Sequence, residues 1–207
     1  GKSKAIGHPR IYMNLGNDPG GAWLGLRHED SRIPQMFHFG NGSAQNPRFC
    51  SVAIGDVTGN GRPDLYFGDY DTGSGSSGSN DMNDRLLIND GTGYFTDESA
   101  ARMSPVMLES SFGMKVAIVD MNNDGKLDIL KDDALNAPQG ISISFNDTGT
   151  EGIFGTYDVS YNNAPYHFNI GDLNNDGLPD IIVSDDGQDR YVLNQTATAG
   201  QVPVPFS

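Results

Sequence analysis

Three nine-residue stretches carry oxygen-bearing side chains at alternate positions, an arrangement that lets a tight loop converge on one hard cation. The central one runs Asp120, Met121, Asn122, Asn123, Asp124, Gly125, Lys126, Leu127, Asp128. Its oxygen side chains fall at positions one, three, five and nine, with glycine at six. Calcium takes six to eight oxygens at about 2.3–2.6 Å, and the glycine permits a backbone turn that a Cβ would penalise. Asp172, Asn174, Asp176, Gly177 and Asp180 repeat the pattern closely. Asp56, Thr58, Asn60, Gly61 and Asp64 repeat it with weaker ligands at three and five. By the same pattern the residue after the glycine, Arg62, Lys126 or Leu178, offers its main-chain carbonyl. One such stretch could be a turn rich in Asp, Asn and Gly, but three in one register argue for up to three Ca²⁺ sites. Two carboxylates against three make the loop at 56–64 the weakest.

The flanks of these loops exclude an EF-hand. That motif needs a bidentate Glu at position twelve and a helix on each side, whereas position twelve here is Phe67, Lys131 and Val183. The flanks are short and apolar: 116–119 before the second loop and 127–130 after it, with 65–67 and 181–183 after the others. Such runs, bounded by turn residues, predict strands, so each loop joins two adjacent strands.

Periodicity then predicts the architecture. The loops start at 56, 120 and 172, a repeat within the range of a four-stranded propeller blade. A third strand ending in asparagine follows each loop, at 85–89, 142–146 and 190–194, and a fourth copy at 10–14 precedes the first loop. The expected fold is all-β: a calcium-binding β-propeller segment of about three and a half blades, set in a larger ring. It divides into a half blade at 9–35, blades at 49–104 and 112–160, a partial blade at 166–194 and a tail at 195–207. The Gly/Ser-rich run 73–80 reads as a mobile surface loop inside the first full blade.

Residues 111–120, with Phe112-Gly113 ahead of the central loop, resemble the FG-GAP/VCBS repeat of integrin α-subunit propellers. The hairpin at 83–97 is similar to the ASPIC-type secreted subgroup. The resemblance recurs along nearly the whole chain and implies a ring of about seven blades, closed by further sequence or another chain. It implies little about activity, because adhesion receptors, lectins and polysaccharide lyases share the repeat.

Composition narrows the function. Thirteen basic against twenty-seven acidic residues give a net charge of −14, which argues against nucleic acid or an anionic membrane surface as partner. No apolar run approaches the roughly 20 residues that span a bilayer. Weak calcium sites fill reliably outside the cytosol, so secretion or the cell surface is the expected location. The start of the sequence carries no signal-peptide core. The single Cys50 is expected as a small buried core residue. Of three glycosylation sequons, Asn146 and Asn194 coincide with the recurring strand-end asparagine, which leaves Asn41 as the glycan candidate.

The loops opposite the metal sites are the expected ligand face. They hold Asp69, Tyr70, Asp71, Asp132, Asp133, Asp185 and Asp186, with Tyr161, Tyr166 and His167 from a blade connection. Carboxylates and aromatics together suit sugar hydroxyls or basic side chains, although turn composition alone also explains them. No nucleophile elbow, phosphate loop or haem motif is present, and the four histidines are scattered. The expected function is therefore non-enzymatic adhesion, recognition or assembly, with a protein, a glycan or further blades as partner. A lectin, or a secreted polysaccharide lyase or hydrolase with His167 as its acid or base, is the alternative.

Overall fold

The computed structural model describes residues 9–37, 39, 42, 49–69, 83–109, 113–132, 140–161, 165–185 and 187–207. These form four antiparallel sheets. The first pairs β1 (Tyr12–Asn14) with β2 (Leu26–His28). The second runs β3 (Phe49–Gly55), β4 (Asp64–Asp69), β5 (Arg85–Asn89) and β6 (Phe95–Asp97). The third runs β7 (Val116–Val119), β8 (Asp128–Asp132), β9 (Ile141–Ser144) and β10 (Tyr157–Tyr161). The fourth holds β11 (His167–Gly171), β12 (Asp180–Ser184) and β13 (Arg190–Val192). Successive strands are neighbours in every sheet, as short apolar runs punctuated by Gly, Asn and Asp turns require. Two short helices, α1 (Ser99–Arg102) and α2 (Pro105–Glu109), follow β6. The Gly/Ser run at 73–80 and Phe112 lie outside the described residues.

The sheets stack face to face, and this explains why their central strands are apolar runs rather than alternating ones. Both β4 and β5 are buried along their whole length, because a neighbour covers each face. Tyr66, Leu86 and Ile88 of the second sheet meet Val116 and Ile129 of the third. On its other face the third sheet packs Leu130, Ile143 and Phe145 against Phe168, Ile181 and Val183 of the fourth. Leu65, Phe67 and Leu87 face the other way and meet Ile33 and Met36. Each such side chain contributes about 1.5–3 kcal/mol when fully buried. The second and third sheets approach closely at Gly68, where a Cβ would strike the Gly113 carbonyl and the Ser51 hydroxyl.

An ion pair is buried in the same interface. Lys131 Nζ lies 2.7 Å from Asp84 Oδ2, and both side chains are shut off from solvent. The Tyr66 hydroxyl donates to Asp84 Oδ2 at 2.8 Å, and the Asp69 N–H donates to Asp84 Oδ1 at 2.8 Å. One carboxylate thus ties β4, the start of β5 and β8 together.

Two expectations are corrected here. Residues 195–207 do not trail away. Leu193 and Ser207 exchange main-chain hydrogen bonds at 2.9 and 3.0 Å, the Gln195 N–H donates to Pro205 at 2.8 Å, and Val204 enters the core. The segment therefore returns alongside the residues after β13, through an isolated bridge between Asn194 and Phe206. Cys50 is exposed rather than buried. A register shift between Phe49 and Ser51 leaves it as the extra residue of a β-bulge, off the regular ladder.

The Cys50 sulfur still turns inward, with Sγ 3.2 Å from the Gly113 carbonyl. Burial of the thiol, with the Asp132 carboxylate next in effect, pushes its pKa up to about 11. The thiolate is the nucleophile, so two units above the ordinary value leave about a hundredfold less of it at neutral pH. Alkylation of the folded chain by iodoacetamide should be slower than that of the denatured chain by about this factor. Equal rates in the two states would contradict the inward placement.

Candidate metal centres

Each loop occupies the connection between the first two strands of its sheet, and all three fold by one set of hydrogen bonds. The carboxylate at position one caps the turn. Asp56 accepts from the N–H groups of Asn60 and Gly61 at 3.1 and 2.6 Å. Asp120 accepts from Asp124 and Gly125 at 3.1 and 2.8 Å, and Asp172 from Asp176 and Gly177 at 3.1 and 2.9 Å. The side chain at five accepts from the N–H at seven: Asn60 from Arg62, Asp124 from Lys126 and Asp176 from Leu178, each at 2.9 Å. This bond turns the carbonyl-bearing seventh residue around the loop. Asn122 and Asn174 at position three accept the N–H at five, while Thr58 donates its hydroxyl to Asp56 and Asp64.

The aspartate at nine is the anchor. Asp64, Asp128 and Asp180 are each completely buried. One oxygen of each accepts the N–H at position two, from Val57, Met121 and Leu173 at 3.2, 3.0 and 2.8 Å. The other accepts the N–H of the asparagine that ends the third strand, Asn89, Asn146 or Asn194, at 3.0, 3.0 and 2.8 Å. These bonds explain the recurring asparagine. Its Nδ2 donates to the carbonyl before the ninth residue, at Pro63, Leu127 or Pro179. Asn146 also reaches back to the Val57 carbonyl of the preceding loop at 2.9 Å, and Asn194 to Met121 at 2.8 Å. Neighbouring loops are thereby linked through a single side chain.

Backbone conformation at the fourth and sixth positions follows the residue types. Gly61, Gly125 and Gly177 all have positive φ, as do Gly59, Asn123 and Asn175 at position four. Asparagine tolerates the left-handed region, so two loops keep a side chain there. In the first loop Gly59 takes this place, and a Cβ there would meet the Glu151 carboxylate, the movable end of an exposed side chain.

The donor set fits a hard cation. It consists of carboxylate, amide, hydroxyl and carbonyl oxygens, without sulfur or imidazole. Among the described residues, no three His, Cys, Asp or Glu side chains group closely enough to hold a metal by themselves, so amide and main-chain oxygens would have to complete each set. The electrostatics point the same way. Burial pushes the Asp128 carboxyl up to about 7 against the pull of the Asn146 and Met121 N–H groups, and the Asp124 and Asp120 charges raise it further. Burial also raises Asp64, with the Asp56 charge adding to it. In these two loops burial outweighs the stabilisation that the main-chain N–H groups give the carboxylate.

The residues expected on a ligand face are placed differently from one another. Asp69 and Asp132 are completely buried, the latter accepting the Lys115 N–H at 2.8 Å. Tyr161 is half-buried, Asp185 is partly exposed, and Tyr166 and His167 are exposed. Tyr70, Asp71, Asp133, Asp186 and Asn41 lie outside the described residues. Sequence reasoning missed Asp84 and the Asn-to-loop links. The recurring asparagine was the available signal for the second, whereas nothing in its neighbours marks Asp84 as buried.

Residues 56–130 match the family model described as FG-GAP-like repeat, a span holding the first two loops and the strands between them. Fold and loops together define a β protein built of stacked sheets with FG-GAP-like repeat sequence. No curated protein matches the chain. Among solved structures it is similar to an Agrocybe aegerita lectin described as recognising non-reducing terminal N-acetylglucosamine. The identity is 21%, over 69% of this chain and 34% of that one, with a TM-score of 0.44. The chain therefore spans about a third of that protein's length.

Proposed function

We propose that this chain is a calcium-stabilised β-propeller segment serving adhesion, recognition or assembly outside the cytosol, with integrin α-like or ASPIC-type blades. The observation that supports the reading is the bonding pattern that the three loops share at positions one, five and nine, within turns that carry oxygen-bearing groups at alternate positions. Asp120, Asn122, Asp124, the Lys126 carbonyl and Asp128 would hold one ion, and the equivalent residues of the other loops two more. When bound, calcium supplies positive charge where buried carboxylates concentrate negative charge. The protein's own groups do the rest. The position-one aspartate shapes the turn, and the position-nine aspartate ties it to the second and third strands.

An ion that binds the folded loop and not the unfolded chain stabilises the fold by mass action. The role is that of a scaffold without catalysis, presenting a protein- or glycan-binding surface near Tyr161, Tyr166, His167 and Asp185, away from the metal loops. Affinity follows ligand charge. Calorimetric titration of variants that keep one loop each should find the loops at 120–128 and 172–180 roughly tenfold tighter than that at 56–64. Equal affinities would overturn the ranking, and no heat from any variant would remove the metal reading.

A further inference from the structure

The strand-end asparagines provide a reference for reading the incomplete first sheet. Asn89, Asn146 and Asn194 each use three groups: the main-chain N–H and Nδ2 toward the calcium loop, and Oδ1 toward the following turn. Asn14, at the end of β1, makes the Oδ1 half of this set. It accepts the Gly16 N–H at 3.0 Å and the Trp23 indole N–H at 2.9 Å. Its register against Leu26 matches that of Asn89 against Phe95.

On its other side β1 is a free edge, since it pairs with β2 alone among the described strands. Leu15 donates to Gly25, and Ile11 accepts from Glu29, across the β1–β2 hairpin. Main-chain groups alternate along an antiparallel strand, so those of Tyr12 and Asn14 turn to the free edge.

Beside that edge lies an apolar groove of about 350 Å³, lined by Ile11 just before β1 and Met13 within it, Val52 and Ile54 of β3, and Leu65 and Phe67 of β4. Val52 and Ile54 are 49% and 65% exposed. The residues at the Val52 position in the next two sheets are Val116 and Phe168, only 3% and 1% exposed. In both cases the preceding sheet covers them. For Phe168 the cover includes Ala117, Val119 and Leu130, from the strand–loop–strand unit β7–β8.

We propose that the β1 edge and this groove form a docking site for a strand–loop–strand segment of the same calcium-loop type. It adds to β1 as the two inner strands of a four-stranded sheet. Its ninth-position aspartate accepts the Asn14 N–H, its eighth carbonyl accepts Asn14 Nδ2, and its small and aliphatic residues cover Val52 and Ile54. The occupant follows from continuity with two interfaces inside the chain, where units of this kind cover the same face. The proposal rests on the blade reading above but not on calcium filling the chain's own three loops.

The probe is a labelled peptide of residues 113–132, the unit that covers the equivalent face of the fourth sheet. Fluorescence anisotropy in millimolar calcium should show saturable binding to the full chain. Ile54→Asp and Asn14→Ala should each weaken it roughly tenfold or more, the loss expected at a desolvated contact. Ile54 is exposed, so Ile54→Asp should keep the wild-type melting curve, whereas Asn14→Ala also removes the acceptor of the Gly16 and Trp23 bonds and should lower it slightly. A Leu130→Asp peptide should not bind. An isolated hairpin is marginally stable, so the same segment is also fused ahead of residue 1 by a Gly/Ser linker that raises its effective concentration. There, amide exchange at Tyr12 and Asn14 should slow about tenfold, and Ile54→Asp should restore it. Absence of binding in trans together with unchanged exchange in the fusion overturns the proposal, whatever the calcium titration gives. Docking to a chain whose own loops take no calcium would leave the proposal standing and remove only the metal reading.

Discussion

Replacing Asp128 by alanine should destabilise the chain by about 3–5 kcal/mol in chelator, and by more in calcium. The buried carboxylate accepts two main-chain N–H groups, Met121 and Asn146, each at 3.0 Å. A buried donor left unsatisfied costs about 1–3 kcal/mol, and alanine leaves both of these without their acceptor inside the protein. Asp128→Asn removes the charge and keeps one of the two acceptors, since its Nδ2 cannot accept the second N–H. Burial and neighbouring acids push this carboxyl up to about 7, so its charged form costs stability in the loop's own field. The folded state holds that proton more tightly than the unfolded chain. In chelator, its stabilising contribution is therefore full below about pH 4 and is lost as pH rises to about 7. Above that, Asp128→Asn should cost somewhat less than alanine, by the one hydrogen bond that it keeps. In calcium both variants should cost more than in chelator, since each loses the increment that the ion gives the wild type. Urea unfolding in both buffers reads all of this. A calcium-independent profile for both variants would contradict the assignment of Asp128 as a ligand.

The second large effect is expected where the second and third sheets meet. Asp84→Ala removes the carboxylate that faces the Lys131 ammonium at 2.7 Å, and with it the acceptor for the Tyr66 hydroxyl and the Asp69 N–H. Breaking one side of a buried pair costs about 3–5 kcal/mol. Lys131→Met should cost less, because Asp84 keeps those two donors. The double variant Asp84→Ala, Lys131→Met should lose less than the sum of the two single losses, since the Lys131 charge is no longer buried without Asp84, while the loss of the Tyr66 and Asp69 bonds remains. Chemical denaturation of the four proteins gives the coupling. Additive losses would show that the two residues act independently.

The loops and their flanking strands were legible because the local signals agree. Turn residues at fixed offsets, a short apolar run on either side and a strand-end asparagine recur together, and the sheets form where they do. What escaped the sequence depends on distant partners. Pro203–Ser207 has little strand pattern, yet Ser207 pairs with Leu193 because the third strand of its sheet needs an outer neighbour. The Cys50 environment is set by a bulge whose only cause is register against β4. Asp69 and Asp132 read as turn acids on an open face, but the stacking of two sheets buries them. The same holds for Asp84, whose partners lie on β4 and β8. At the metal centres the donor types were readable, whereas the links from Asn146 to Val57 and from Asn194 to Met121 required the stacking itself.

The most direct test of the central claim is thermal unfolding of the intact chain in millimolar calcium and in excess chelator, followed by circular dichroism. Three sites that bind the folded chain alone predict a melting temperature that rises with calcium concentration and falls by many degrees on chelation, with magnesium restoring little of it. A melting curve that is the same in calcium and in chelator would contradict calcium stabilisation, and would leave the three loops as hydrogen-bonded turns only.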